Sequence, residues 1–333
     1  MSLSFSVFQE AIQRLSTDLA PVRVQKPQRL SEIVPRTVGP RIREISAEAE
    51  DKCCTAVDVC KDKIIVGCKN GQIRIHNDTD LHCETVLPHY MNMSEVTCLQ
   101  CTCTEIIAGY RDGKICVWNI EKGFKAHQFS IRKDDWYDPV HASCMRWKDP
   151  KLVVCTSKGK VKIWQYCSSS LTLLHSWDAD QGGIRHVDFN EKYVILQHYY
   201  AVDVKYFNGR HICSISNPKV NCVALDGNHL ITGPDHRIVR IWSISTGACL
   251  KELKGHDCPI RAVNAHGGAF ATSDSKGEII IWNLKAELEG IQAELVYSAH
   301  PKCDAVPLLK LGQKVVVTAF TAKQAIQVTD FLV

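Results

Sequence analysis

One short pattern returns along the chain at a nearly constant interval, and that repetition limits the available folds more than any other feature. In "GYRDGKICVWNI" (Gly109 to Ile120) a tight Asp112-Gly113 turn leads into Ile115 and Val117 alternating with Lys114 and Cys116, closed by Trp118 and Asn119. A turn followed by two-residue alternation describes a half-buried strand. Related strands read "NGQIRIHN", "KGKVKIWQ", "HRIVRIWS" and "KGEIIIWN", with weaker versions in "DVKYFN" and "AIQVTD". Aligned on His76, Trp118, Trp164, Phe207, Trp242, Trp282 and Thr329, successive copies lie 42, 46, 43, 35, 40 and 47 residues apart. A period of about 40 to 45 residues with one aromatic-closed strand per unit is the signature of a propeller blade.

The neighbours of each copy repeat as well. Two apolar segments joined by a tight polar turn precede it, as in "AVDVCKDKIIVG" and "NCVALDGNHLITG", and a further strand such as "CETVL" or "CLKELK" follows. Each unit is therefore four antiparallel strands, a to d, and seven units fit between Thr55 and the C-terminus. The last unit, "PLLKLGQKVVVTAFTAKQAIQVTDFLV", supplies only strands a to c. The segment "RIREIS" (Arg41 to Ser46) precedes the first unit with nothing else to pair with, and as the missing strand d it removes the ring's open edge. The expected architecture is an all-β, seven-bladed β-propeller over residues 41–333, closed by an N-terminal strand; cutting after Ser46 is expected to open it.

Residues 1–40 read differently. In "SVFQEAIQRLSTDL" the residues Phe8, Ala11, Ile12, Leu15 and Leu19 fall at helical spacing, and Pro21, Pro27, Pro35 and Pro40 follow. This predicts a short amphipathic helix and a stiff connector.

Composition narrows the function classes. With 45% hydrophobic residues among 333, a sizeable core can form. The formal net charge of +4 is too small and dispersed to call for a nucleic-acid partner. No apolar run reaches the roughly 18 residues of a membrane helix, and "MSLSFSVFQEAIQRL" lacks the plan of a secretion signal, so an intracellular protein, cytoplasmic or nuclear, is expected. Most of the 17 cysteines (Cys116, Cys144, Cys155 and Cys222 among them) sit in apolar strand patterns and read as reduced core residues. Cys53, Cys54 and Cys60, and the group Cys98, Cys101 and Cys103 in "CLQCTC", depart from that pattern. No second pair follows at a fitting distance for zinc, so neither metal nor cofactor is expected. There is no Walker loop, G-x-G-x-x-G, G-x-S-x-G or H-E-x-x-H, which argues against an enzyme.

From Arg41 to Val333 the chain resembles the WD-repeat family, best over "KGHDCPIRAVNAHGGAFATSDSKGEIIIWNL" (Lys254 to Leu284) with Gly-His before strand a and Trp282 closing strand c. The resemblance implies structural roles for Asp112, Trp118, Trp164, Trp242, His256 and Trp282. In the family an Asp six residues before the Trp joins a buried His–Ser/Thr–Asp–Trp set; only Asp112 with Trp118 keeps that spacing, so most blades are expected to rest on apolar packing. The short a–b turns, "LDGNH" and "NAHGG", are similar to those of F-box/WD-repeat proteins, although no F-box is visible.

The resemblance also implies a partner-binding top face built from the b–c turns and d–a loops. The b–c turns carry Lys69, Arg111, Lys158, Arg237, Lys276 and Lys323, which suits an acidic or phosphorylated segment. Asp134, Asp135, Asp178, Asp180 and Asp257 on the same face would dilute that field. Trp136 and Tyr137 in the long loop before blade three, and Tyr199 and Tyr200 beside blade four, add aromatic anchors. The sequence thus describes a non-catalytic interaction platform, a monomeric propeller within a complex. Two finer readings stand: the substrate-recognition part of a ubiquitin ligase, in contact with an adaptor, or a scaffold subunit of a larger assembly.

Overall fold

Short strands whose apolar residues occupy both faces cannot stand alone, and here they are covered on both sides by neighbouring sheets. The computed structural model describes residues 41–45, 54–60, 62–87, 94–123, 125–131, 141–167, 170–179, 183–199, 201–216, 220–266, 268–287, 290–299, 308–311, 315–320 and 325–330. They form seven four-stranded antiparallel sheets: blade one over 54–87, two over 96–130, three over 142–178, four over 186–216, five over 220–254, six over 260–299, and seven over 308–330 with 41–45. In blades one to six the strands pair in chain order. The strand a of each blade packs against strand a of the next, from blade one round to seven and back, so these strands form the inner wall of a closed ring.

Arg41–Ile45 supplies the fourth strand of blade seven, pairing antiparallel with Ala325–Asp330 from Arg41 opposite Asp330 to Ile45 opposite Ile326. Arg43 reaches on to the carbonyls of Asp78 and Thr79, in the c–d turn of blade one, so the closing strand holds both sides of the seam. The helix and connector expected over 1–40, and Trp136, Tyr137, Tyr200 and Lys323, lie outside the described residues.

The alternation of Lys114–Asn119 predicts one buried face, but Ile115, Cys116, Val117 and Trp118 are all buried. The physical reason is face-to-face stacking of blades. Ile106, Ala108, Cys116 and Trp118 face blade one's Ile65 and Ile75, while Ile107, Ile115 and Val117 face blade three's Leu152 and Trp164. Blades approach closely where strand b carries glycine. A Cβ on Gly233 would stand 2.5 Å from both Cys222 Sγ and Ile260 Cγ2.

Strand a is a sheet edge, and its outward N–H groups need partners. The preceding blade provides them from mid-strand polar side chains. Asp58 accepts from Cys101 N–H at 2.9 Å, Asp188 from Leu225 N–H at 3.3 Å and Asn264 from Leu311 N–H at 3.1 Å, and Gln100 accepts from Trp147 N–H. Lys310 Nζ, 3.1 Å from Asp58 Oδ1, ties blade seven to blade one. Asp188 also meets Arg146 Nε at 3.1 Å and Lys148 Nζ at 2.8 Å. Burial would raise the Asp188 carboxyl, but Arg146, Lys148 and His186 outweigh it and hold it below its ordinary value.

Candidate functional site

The b–c turns are pinned to the loop entering strand a of the same blade. Arg111 N–H donates to Glu95 O, Ser157 N–H to His141 O and Ser275 N–H to Pro259 O, all at 2.9 Å. Turns and entering loops therefore share one rigid face, the top. In the turns themselves Gly71, Gly113, Gly159 and Gly277 take positive φ, between 79° and 85°, a region open to glycine.

The predicted residues do not form a uniform basic belt. Lys69, Lys158, Arg237 and Lys276 are exposed on their turns. Arg111 is exposed too, but its guanidinium is paired with Glu95. Asp112 turns its carboxylate inward on its own loop, accepting from Lys114 N–H at 3.1 Å and pairing with Lys114 Nζ at 2.7 Å. Blade four replaces the basic residue with Tyr199, whose ring lies 5.6 Å from the Arg185 guanidinium. Of the acids, Asp178 faces Lys160 at 3.3 Å, and Asp257 is exposed in the loop before blade six.

Positive charge gathers over blade five. A cleft of about 480 Å³ is lined by His236, Arg237, Ile238, Arg240, Lys254 and His256. Pairing of Ile238 with Lys254 brings the b–c turn beside the end of strand d, and the alternation of strand c puts Arg240 on the same side as Ile238. Arg240 spends its charge on Glu252, Nε to Oε1 2.7 Å, and lies 3.2 Å from His236 Nε2. Burial and then the Arg240 charge keep His236 below its ordinary value, hence neutral. Neither Arg237 nor Lys254 forms an ion pair with a carboxylate among the described residues, although the Lys254 charge is felt by Glu252, the partner of Arg240. Volumes of this order suit a side chain or short segment rather than a folded surface.

Beneath the cleft, His256 belongs to a buried polar set in blade six. Its Nε2 lies 2.7 Å from Thr272 Oγ1, which also accepts from Trp282 Nε1 at 2.9 Å and donates to Ile280 O at 3.4 Å. Its Nδ1 faces Asp274 Oδ2 and Glu278 Oε2, each at 3.6 Å. Burial opposes the charged imidazole, but the two carboxylates outweigh it and raise His256 above its ordinary value. The three side chains each place one ligand-type atom within 4.8 Å of the others. The imidazole Nδ1 stands between the two carboxylates at ion-pair distance, beyond hydrogen-bond length, and a metal would have to displace the proton it carries in the charged form.

This set corrects the expectation drawn from spacing. Blade six holds a His–Thr–Asp–Trp network although Lys276 occupies the position six residues before Trp282, because Asp274, at the end of strand b, supplies the carboxylate. Blade five keeps part of it, Trp242 Nε1 to Thr232 Oγ1 at 2.9 Å. Trp118 and Trp164 are buried in their blades. The cysteines of "CLQCTC" divide: Cys98 packs with Thr97 toward Cys144, whereas Cys101 and Cys103 both reach Cys60.

A ring of seven four-stranded antiparallel sheets with strand a innermost defines a seven-bladed β-propeller. The family model "WD domain, G-beta repeat" matches residues 247–283, the segment holding His256, Thr272, Asp274 and Trp282, and the chain is similar over most of its length to WD-repeat proteins. Among curated relatives, WD repeat-containing protein 55 of Arabidopsis thaliana is 23% identical over 264 residues, 75% of this chain and 72% of that protein. Cell division control protein 4 of Saccharomyces cerevisiae is 24% identical over 157 residues, 45% of this chain but 19% of that relative. The fold is similar to the WD40 repeats of RRP9 (TM-score 0.70, 15% identity, covering 87% of this chain and 97% of that one). It is similar also to a chain of a Mitotic Checkpoint Complex structure (TM-score 0.71, 12% identity, covering 95% and 97%). WD-repeat propellers are in general non-catalytic platforms that bind other proteins within complexes.

Proposed function

We propose that this propeller binds an acidic or phosphorylated segment of another protein on its top face, centred on the blade-five cleft and acting in the cytoplasm or nucleus. The observation that carries the reading is the juxtaposition of Arg237 and Lys254 at one cleft, neither in an ion pair with a carboxylate among the described residues. A phosphate or carboxylate entering there gains charge-assisted hydrogen bonds, bidentate in the case of Arg237. Lys276 on the next turn extends the basic surface toward blade six, and Tyr199 on blade four offers an aromatic edge for the flanking residues. Lys69 and Lys158 contribute long-range attraction more than contact.

A binding array of acidic and phosphorylated peptides tests it. Charge reversal of Arg237 removes binding under this reading, whereas reversal of Arg111, already neutralised by Glu95, changes it little. Undiminished binding by Arg237→Glu overturns it.

A finer reading makes the bound segment a ubiquitin-ligase substrate presented through a separate adaptor. The short a–b turns, similar to those of F-box/WD-repeat proteins, and the similarity to Cell division control protein 4 support it. The alternative is a scaffold subunit of a larger assembly with no ubiquitin role. Purification from cells with cullin neddylation blocked separates them: a cullin and its adaptor co-purify in the first case, a stoichiometric assembly without them in the second.

A further inference from the structure

The thiols of this chain divide by surroundings. Cys98, Cys116, Cys144 and Cys155 are packed between blades, where burial raises the Cys98 thiol to about 12 and makes it inert. At the opposite end of strand a from the b–c turns, two thiols from different blades meet in partly open surroundings. Cys60 ends strand a of blade one, Cys103 stands exposed in the a–b turn of blade two, and their sulfurs are 3.6 Å apart.

We propose that Cys60 and Cys103 form a reversible disulfide between blades one and two, a modification site for low-molecular-weight disulfides of the glutathione type. A disulfide needs sulfurs about 2.05 Å apart, a contraction that a turn residue such as Cys103 can provide more readily than one inside a strand. The neighbouring thiol is poorly suited to compete. Cys101 hydrogen-bonds Cys60, is buried and lies near Asp58, and these three influences, in that order, raise it well above its ordinary value. Nor do the sulfurs make a metal site: among the described residues no three Cys ligand atoms gather within 4.8 Å.

The exchange balances in two steps. The Cys103 thiolate attacks one sulfur of glutathione disulfide, forming a mixed disulfide and expelling one glutathione thiolate. Cys60, having lost its proton to solvent, then attacks the Cys103 sulfur and expels the second. Two protein thiols are oxidised to one disulfide, and one glutathione disulfide is reduced to two glutathione thiols. Exposed Cys167 and Cys249 show no thiol neighbour among the described residues and stop at the mixed disulfide. The cross-link joins residues 43 apart in sequence, beside Asp58, which already binds Cys101 N–H and Lys310 of blade seven. It would reinforce the ring next to its seam.

The test equilibrates the full-length chain in glutathione buffers of stepped reduced-to-oxidised ratio, traps remaining thiols by alkylation and maps the products by fragmentation mass spectrometry. The expected product is a Cys60–Cys103 cross-link lacking two hydrogens and carrying no glutathione, formed while Cys167 and Cys249 are alkylated or glutathionylated. Cys101→Ser retains it and Cys103→Ser abolishes it. The oxidised wild type melts several degrees above its reduced form, and Cys103→Ser, melting with the reduced wild type, shows no such rise. Glutathione persisting on Cys103 beside an alkylated Cys60, or a cross-link through Cys101 instead, overturns the proposal.

Discussion

Replacing Thr272 with valine isolates the polar network of blade six, because the two side chains have nearly the same shape and only the hydroxyl is lost. That oxygen serves three groups: Trp282 Nε1 at 2.9 Å, His256 Nε2 at 2.7 Å and Ile280 O at 3.4 Å. Thr272, His256 and Trp282 are all buried, so water cannot take its place. Each buried group left without a partner costs about 1–3 kcal/mol, and the two donors together place Thr272→Val at about 3–5 kcal/mol of destabilisation. Blade five provides the control. Thr232 holds Trp242 Nε1 at 2.9 Å with no histidine in the set, and Trp242 is partly exposed, so Thr232→Val should cost about 1–2 kcal/mol. Urea unfolding at constant pH, with both slopes compared to wild type, reads the difference. Equal losses in the two variants, or a loss below about 1 kcal/mol for Thr272→Val, would refute the assignment of His256 to the network.

The other expectations follow from the same geometry. His256 is raised above its ordinary 6.5, so its contribution is fully present below that pH and is lost as pH rises through the folded-state value. Glu278→Gln removes one of the two carboxylates that hold the proton and should move this loss of stability to lower pH, measured as urea midpoints across a pH series. Gly233→Ala drives a Cβ against Cys222 and Ile260 at 2.5 Å and should cost about 1–3 kcal/mol by the same unfolding assay. Asp188→Asn leaves Arg146 and Lys148 facing one another on the inner wall, with an expected loss of about 3 kcal/mol that a compensating Arg146→Met partly restores.

The fold was legible because its information is repeated. Recurring copies of an apolar strand, closed by a large residue in most blades, mark strand c, and the lone "RIREIS" at the start could only complete the last blade. Much of the local chemistry was not legible, for identifiable reasons. Asp274 escaped a fixed-spacing argument because it sits two residues before the position that Lys276 occupies, on strand b instead of in the turn. Cys116 was legible as a core residue, but the alternation of its strand suggested only one buried face, because one sequence cannot show that a second blade will cover the other side. Arg237 was visible as a turn residue, whereas Lys254 joins it only through the pairing of strands c and d. Nothing in the sequence singles out Asp58 and Asp188; only the ring reveals that they cap N–H groups of the next blade.

The most direct test of the proposed binding face is a titration of the best phosphopeptide from such an array against four forms of the protein at two salt concentrations. The forms are wild type, Arg237→Glu, Lys254→Glu and Lys69→Glu. If the blade-five cleft is the site, the first two substitutions each weaken binding at least tenfold and flatten its salt dependence, while Lys69→Glu, on the turn of blade one, changes affinity less than threefold. Equal losses from all three, which a diffuse surface field would give, or no loss from Arg237→Glu and Lys254→Glu, would contradict the account.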